Sequence, residues 1–238
     1  MEAKERIILA LDVDAEKEAL ALVEKLRADV GMFKVGMQLF NSAGPNIVRK
    51  IRSLGGKVFV DLKFHDIPNT VAAASRVVTR LGCNMFNVHA SGGREMMKQT
   101  AQAVKEEADK NGMTPPFAIA VTVLTSLSQD EVNNEMHVPM PVDKLVVEWA
   151  MMARECGLDG VVASPQEVGA IRKACGDDFL IVTPGVRPAW SEANDQKRFT
   201  TPRQALELGS SYMVIGRPIT KADDPIEAAK RISQELEG

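Results

Sequence analysis

The stretch Lys57–Gly82, KVFVDLKFHDIPNTVAAASRVVTRLG, contains one complete strand–helix unit. An apolar run at Lys57–Leu62 predicts a buried strand, and the amphipathic residues Asn69–Leu81 predict the helix that follows it. Gly82 supplies the left-handed backbone conformation at which helices commonly end. Charged residues stand between the two elements, where a strand runs out into a loop. The rest of the chain can be compared with this unit.

The 238 residues contain eight strand–helix units of this kind, this one included. Continuous apolar strands are typical of parallel sheets that are covered on both faces. Eight units in a chain of this length favour a closed barrel over an open sheet, so we predict a single-domain (β/α)8 TIM barrel over residues 1–238. The predicted strands are Ile7–Leu11, Met32–Val35, Lys57–Leu62, Met85–Val88, Phe117–Val123, Gly160–Ala163, Phe179–Val182 and Tyr212–Ile215. The predicted helices cover residues 15–28, 45–54, 69–81, 94–111, 141–156, 165–175, 202–208 and 225–236.

Two connections are longer than the others. One spans residues 124–140 and includes a short predicted helix, and the other spans about 184–201. Loops of this length in a compact domain often cover an active site. We therefore predict a mobile active-site loop at 184–201.

Composition excludes several classes of protein. The formal net charge is −3, which argues against a broad nucleic-acid-binding surface. The three cysteines, Cys83, Cys156 and Cys175, are spaced for neither a disulfide framework nor a zinc site. The sequence contains no apolar run long enough to span a bilayer and no signal-peptide core at its start, so we expect a cytoplasmic protein with no membrane partner.

Charged and polar residues follow almost every predicted strand. Barrel enzymes carry their sites at the carboxyl ends of the strands, and an unpaired charge is costly to bury there. These residues must therefore pair with one another or with a ligand. They are Asp12, Lys34, Asp61, Lys63, Asp66, His89, Thr125, Ser126, Gly185, Arg187, Gly216 and Arg217.

The strongest cluster is the sequence DLKFHD at residues 61–66. Because side chains alternate along a strand, Asp61 and Lys63 should project to the same side, with Asp66 in the loop beyond. Neighbouring carboxylates favour the charged form of a lysine, so Lys63 is suited to act as a positioned acid. A purely structural salt-bridge network is the alternative. The presence of Asp12 and Lys34 on adjacent strands disfavours it, because so many buried charges are costly.

Two further segments suit an anionic ligand. Gly216-Arg217 follows the last predicted strand, where barrels commonly bind phosphate, and a guanidinium group matches phosphate geometry. Arg187 lies in the long basic loop that follows the seventh strand. A surface turn is the alternative for the first segment, and an exposed flexible loop is the alternative for the second.

These residues, in this order, resemble the bacterial orotidine 5′-monophosphate decarboxylases. The most specific match is DLKFHDIPNT at residues 61–70, and no departure from the core pattern is visible. The other matching pieces are ALD at 10–12, FKVG at 33–36, NVHA at 87–90, LTS at 124–126, TPGVRP at 183–188 and IGRP at 215–218.

The resemblance implies a cofactor-independent and metal-independent decarboxylation in pyrimidine biosynthesis. Lys63 then protonates C6 of the pyrimidine while Asp61 lies against the departing carboxylate, and Lys34 and Asp12 complete the charged array, with Asp12 also near the ribose. The resemblance also implies a homodimer with composite sites. The residues assigned to the neighbouring subunit's site are Asp66, Ile67 and Thr70. Those assigned to the pyrimidine are Thr125 and Ser126, and those assigned to the phosphate are Arg187, Gln196, Gly216 and Arg217.

Two alternatives remain open at this point. Sugar-phosphate decarboxylases and aldolases that resemble 3-keto-L-gulonate 6-phosphate decarboxylase share the D-x-K-x-x-D pattern, but they need magnesium and carry an acidic residue where this chain has Lys34. A barrel that binds a phosphorylated ligand without catalysis is the other alternative, and the complete set of Asp61, Lys63 and Asp66 argues against it.

Overall fold

A computed structural model describes residues 1–191 and 200–237. Eight parallel strands pair in chain order, and the last strand pairs with the first, so the sheet closes into a barrel. This confirms the predicted single-domain TIM barrel. The strands are β1 (Ile7–Ala10), β2 (Met32–Gly36), β3 (Val58–Phe64), β4 (Met85–His89), β5 (Phe117–Val121), β6 (Gly160–Val162), β7 (Leu180–Thr183) and β8 (Tyr212–Ile215).

Helices surround the barrel and separate the strands along the chain. The predicted helices are present with shifts of a few residues at their ends. Short 3-10 helices lie at Ala3–Arg6 and Ala90–Gly92. The α-helices are α1 (Glu16–Leu26), α2 (Met37–Ala43), α3 (Asn46–Ser53), α4 (Pro68–Arg80), α5 (Gly93–Asn111), α6 (Gln129–Asn134), α7 (Val142–Glu155), α8 (Val168–Cys175), α9 (Pro202–Glu207), α10 (Arg217–Thr220) and α11 (Pro225–Glu237).

The sequence did not indicate α2 and α10. Helix α2 starts directly after β2 and buries only Leu39, so its apolar pattern is too short to mark a helix. Helix α10 is a single turn after β8. It begins at Arg217, in the segment for which the sequence predicted a phosphate site, with a surface turn as the alternative.

Strand β3 differs from its prediction in a way that bears on the site. The predicted strand ended at Leu62, whereas the observed strand continues to Phe64. The pairing of β3 with β4 shifts register between Val60 and Phe64, and Lys63 adopts a positive φ of 53°. The regular alternation behind the prediction is therefore interrupted at the lysine. Asp66 lies beyond the strand, as predicted.

Apolar side chains form two separate clusters. The larger one lies between the barrel and its helices. The smaller one contains residues from seven of the eight strands and fills the barrel: Ile8, Met32, Phe59, Met85, Ile119, Val182 and Tyr212. Lys34, Asp61 and Asn87 each follow a member of this cluster by two residues, so they form a polar layer directly above it.

Candidate active site

A row of alternating charges crosses the carboxyl ends of β1, β2 and β3. The Nζ atom of Lys34 lies 3.1 Å from Oδ1 of Asp12 and 3.5 Å from Oδ2 of Asp61. The Nζ atom of Lys63 lies 2.6 Å from Oδ1 of Asp61. The structure thus brings together four of the predicted site residues, and Asp61 lies between the two lysines.

Asp61 is held as a carboxylate. Its burial opposes ionisation, but the ammonium groups of Lys34 and Lys63 outweigh burial, so the pKa of Asp61 lies below its ordinary value of 3.8. Hydrogen bonds from the side chains of Lys63 and Asn87 act in the same direction. A fixed negative charge therefore stands between two ammonium groups that face the barrel mouth.

Asn87 is a site residue to which the sequence analysis assigned no role. It lies on β4 with 1% of its surface exposed. Its Nδ2 donates to Oδ1 of Asp61 at 2.7 Å, and its Oδ1 accepts from the backbone N–H of Lys63 at 2.8 Å. A single polar residue between Phe86 and Val88 was the signal that could have identified it.

The charged row opens into a small cavity of about 180 Å³. Lys34, Asp61 and Lys63 form its polar wall, and the remaining lining is largely apolar: Phe59, Val121, Val123, Leu124, Thr125, Val162, Pro184 and Val214. A larger cavity of about 620 Å³ shares Val123, Leu124, Thr125 and Pro184 with it. Apolar walls that face a few fixed charges are typical of small-molecule sites.

Comparison with known proteins gives the family. The model of the family described as "Orotidine 5'-phosphate decarboxylase / HUMPS family" matches residues 5–232. The chain belongs to this family. It is 65% identical to the orotidine 5'-phosphate decarboxylase of Syntrophomonas wolfei, with 100% of both chains covered, and 54% identical to that of Moorella thermoacetica, with 100% of this chain and 94% of the relative covered.

A solved structure from the same family has the same fold. The orotidine 5'-phosphate decarboxylase of Lactobacillus acidophilus superposes with a TM-score of 0.87 at 41% identity. The match covers 98% of this chain and 99% of the other.

Of the two residues predicted to contact the pyrimidine, one lines the two cavities described above. Thr125 lines both cavities, beside the charged row. Ser126 is exposed and lines neither of these two cavities. Thr125 is therefore the better-placed residue, while the role of Ser126 stays a prediction.

The residues predicted at the phosphate end of the decarboxylase site lie after β7 and β8. Arg187 is buried, and its backbone N–H donates to the carbonyl of Thr200 at 3.0 Å. Gly216 precedes α10, and a methyl group added to it would lie 3.4 Å from Cβ of Ala10. Arg217 is exposed at the start of α10. Gln196 and the other residues of 192–199, within the predicted loop at 184–201, lie outside the described residues.

Asp66 is not beside Lys63 within the chain. Its Oδ1 accepts from the backbone N–H of Ile67 at 2.6 Å, and Asp66, Ile67 and Thr70 are all exposed. Among the residues that the structure describes, Lys63 pairs with Asp61 and no ion pair joins it to Asp66. Of the two carboxylates expected to flank Lys63, only Asp61 pairs with it among the described residues of this chain.

Two other acid–base groups lie near the charged row or at the larger cavity. Burial, with the charges of His65 and Lys63, lowers the pKa of His89, whose ring centroid lies 5.4 Å from that of His65. Burial raises the pKa of Glu167 to about 7, although the carboxylate accepts from the backbone N–H of Ser164 at 2.8 Å. Glu167 lines the larger cavity.

Within residues 1–191 and 200–237, no group of three or more His, Cys, Asp or Glu side chains is arranged to hold a metal ion. Across the same part of the chain, no helix combines the length and apolar character needed to cross a bilayer. Cys83, Cys156 and Cys175 are buried and free of disulfides.

Proposed function

We propose that this chain converts orotidine 5′-monophosphate into uridine 5′-monophosphate and CO2, with Lys63 as the proton donor. The observation that carries the proposal is the charged row of Asp12, Lys34, Asp61 and Lys63. Three of its members, Lys34, Asp61 and Lys63, form the charged wall of a largely apolar cavity. Family membership and the names of the relatives support the same substrate.

The charged row suits the chemistry of the reaction. The bond between C6 and the carboxylate carbon breaks, CO2 leaves, and the electron pair remains on C6. The ammonium group of Lys63 stabilises this developing negative charge and then transfers a proton to C6. Fixed charges in a pocket with apolar walls are effective here, because they need no rearrangement as the charge forms.

Asp61 has two roles in this proposal. It orients the ammonium groups of Lys34 and Lys63, each within 3.5 Å of its carboxylate oxygens. It also lies against the substrate carboxylate, so that loss of CO2 relieves the repulsion between two negative groups. Lys34 and Asp12 extend the row towards the ribose.

The remaining contacts bind the two ends of the nucleotide. Thr125 and Ser126 contact the pyrimidine, and Arg187, Gln196, Gly216 and Arg217 bind the phosphate. The phosphate is remote from C6, so its binding energy helps to orient the substrate and to close the loop at 184–201.

We also propose that the site is shared between two copies of the chain. Asp66, Ile67 and Thr70 reach into the neighbouring subunit's site, where Asp66 supplies the second carboxylate beside Lys63. Ile67 has 66% of its surface exposed, which suits a residue that a partner covers. The homodimer and the cytoplasmic location stay predictions.

The test is an assay with orotidine 5′-monophosphate and no added metal, followed by the ultraviolet change on conversion to the product. The wild-type protein should turn over with EDTA present, and Lys63→Ala should lose activity by at least about 10³-fold, because the proton donor is missing. Lys105→Ala, on the outer helix α5, is the matched control and should retain full activity.

Three results would contradict the proposal. An absence of turnover by the wild-type protein rules out the substrate, and unimpaired turnover by Lys63→Ala rules out the proton donor. Loss of activity in EDTA that magnesium restores would instead favour a metal-dependent sugar-phosphate decarboxylase or aldolase, to be tested with a phosphorylated keto sugar acid.

A further inference from the structure

Asn87 joins the two central residues of the charged row through one amide group. Its Nδ2 donates to Asp61, and its Oδ1 accepts from the backbone of Lys63. Each contact fixes the orientation of the amide independently, because a carboxylate only accepts and a backbone N–H only donates. Asn87 is almost completely buried, so water cannot easily replace either contact.

The contact to Lys63 compensates for an irregularity in the sheet. The ladder between β3 and β4 shifts register between Val60 and Phe64. Within that shift Lys63 has a φ of 53°, a conformation that residues with a side chain rarely adopt. Its backbone N–H is satisfied by the side chain of Asn87 in place of a backbone carbonyl on β4. Asn87 therefore holds the backbone from which the lysine side chain projects.

We propose that Asn87 is a positioning residue for the proton donor. It fixes the carboxylate of Asp61 on one side and the backbone of Lys63 on the other, so the ammonium group is aimed at one point in the cavity. This inference rests on the proposed decarboxylation. Asn87 itself does not line the 180 Å³ cavity and acts through its two neighbours.

Asn84 provides a matched control three residues earlier in the chain. Its Oδ1 accepts from the backbone N–H of Val58 on β3 at 2.9 Å. As at Asn87, an asparagine Oδ1 accepts from a backbone N–H of β3. The Asn84 bond, however, lies at the opposite end of the barrel. A residue that only supports the sheet should behave like Asn84.

The first test is the pH profile of Asn87→Asp. Two carboxyl groups at hydrogen-bond distance cannot both ionise easily, so they share a proton at low pH. With the proton in place the introduced group donates to Asp61 as the amide does. Once the proton is lost, the two groups repel each other. The charged and titratable groups around the pair are Asp12, Lys34, Lys63, His65 and His89.

The expected result is a change in the ratio of variant to wild-type kcat with pH. The ratio should fall about tenfold per pH unit above the apparent pKa of the pair, because only the protonated form is competent. For Asn84→Asp the ratio should not change with pH. A ratio for Asn87→Asp that is equally low at every pH would overturn the inference, since that is the result expected of a purely structural role.

The second test uses Asn87→Ala, which adds no charge and decides the matter if Asn87→Asp does not fold. The value of kcat should fall by about 10²-fold, because a small displacement of the donor is enough for such a loss. The KM should change little, since the phosphate and ribose contacts remain. A kcat within about twofold of wild type, or an equal loss in Asn84→Ala, would overturn the inference. Lack of turnover by the wild-type protein in the same assay would contradict the proposed function itself.

Discussion

At the scale of single residues, the site depends on how closely groups of opposite charge are packed. Lys34 has 9% of its surface exposed and lies within 3.5 Å of carboxylates from two strands. An ammonium group this confined leaves little space for an added side chain on a neighbouring residue. Gly36, two residues further along β2, is that neighbour.

Replacing Gly36 with alanine should impair catalysis more than folding. The added methyl carbon would lie 3.0 Å from Nζ of Lys34 and 3.8 Å from Oδ1 of Asp12. The backbone tolerates alanine, because φ at Gly36 is −86°. The ammonium group can move away at little cost to folding, so we expect a change in unfolding free energy below about 1 kcal/mol. The displaced charge should lower kcat/KM by about tenfold or more.

The control for this change is Gly169→Ala in α8. Apart from its chain neighbours and the backbone of its own helix, no described atom lies within 4 Å of the methyl group that it would add. Steady-state kinetics should show an unchanged kcat/KM, and thermal unfolding should show a gain in stability of up to about 1 kcal/mol. Equal kinetics for the two glycine variants would mean that the room beside Lys34 has no part in the reaction.

At the scale of elements, one arginine ties a helix to the closing strands of the barrel. Arg172, on α8, donates to the carbonyl oxygens of Gly176, Phe179 and Gly209 at 2.8, 2.7 and 2.7 Å. It also reaches Asp177 and Ser211. These partners precede β7 and β8, at the end of the barrel opposite the charged row.

Arg172→Ala should therefore reduce stability without changing the chemistry. We expect a loss of about 2–3 kcal/mol in the free energy of unfolding, because several carbonyl groups lose their donor at once. Urea unfolding measures the loss, and kcat at low temperature should equal that of wild type. The control is Arg203→Ala, which removes only an exposed pair with Glu207 on α9 and should cost less than about 0.5 kcal/mol. Similar losses for both variants would contradict the role assigned to Arg172.

At the scale of the whole molecule, the proposed second carboxylate beside Lys63 comes from another copy of the chain. Asp66 lies on the surface, one residue before the exposed Ile67. If the site is composite, two inactive variants can complement each other, provided that their lesions fall on different subunits of one site.

Mixing Lys63→Ala with Asp66→Ala should restore activity. In a mixed dimer one site carries both lesions and the other carries none, so random exchange restores up to about a quarter of wild-type activity. Mixing Lys63→Ala with Lys34→Ala is the control, because both lysines belong to the row of a single chain and no intact site can form. An assay that shows no gain over the separate variants in the first mixture would mean that each site uses one chain only.

The sequence was sufficient for the architecture and for the four members of the charged row. Apolar periodicity is a local property, so the eight strand–helix units could be counted without knowing their contacts. The charges at strand ends identified Asp12, Lys34, Asp61 and Lys63, because closing the barrel brings these ends to one face. Helix α2 was missed because it buries too little to leave a pattern.

Tertiary structure alone decided how the row is held. The bond from Asn87 to Asp61 spans 26 residues of chain, and the shift that places Lys63 at a positive φ arises from the pairing of β3 with β4. The space beside Gly36 that Lys34 occupies is likewise set by how closely the folded chain brings Nζ of Lys34 to that glycine. The sequence by itself determined that Asp12, Lys34, Asp61 and Lys63 meet at the barrel mouth, because the pattern of polarity along the chain locates the strand ends. The orientation of their side chains depends on contacts between strands, which form only when the barrel closes.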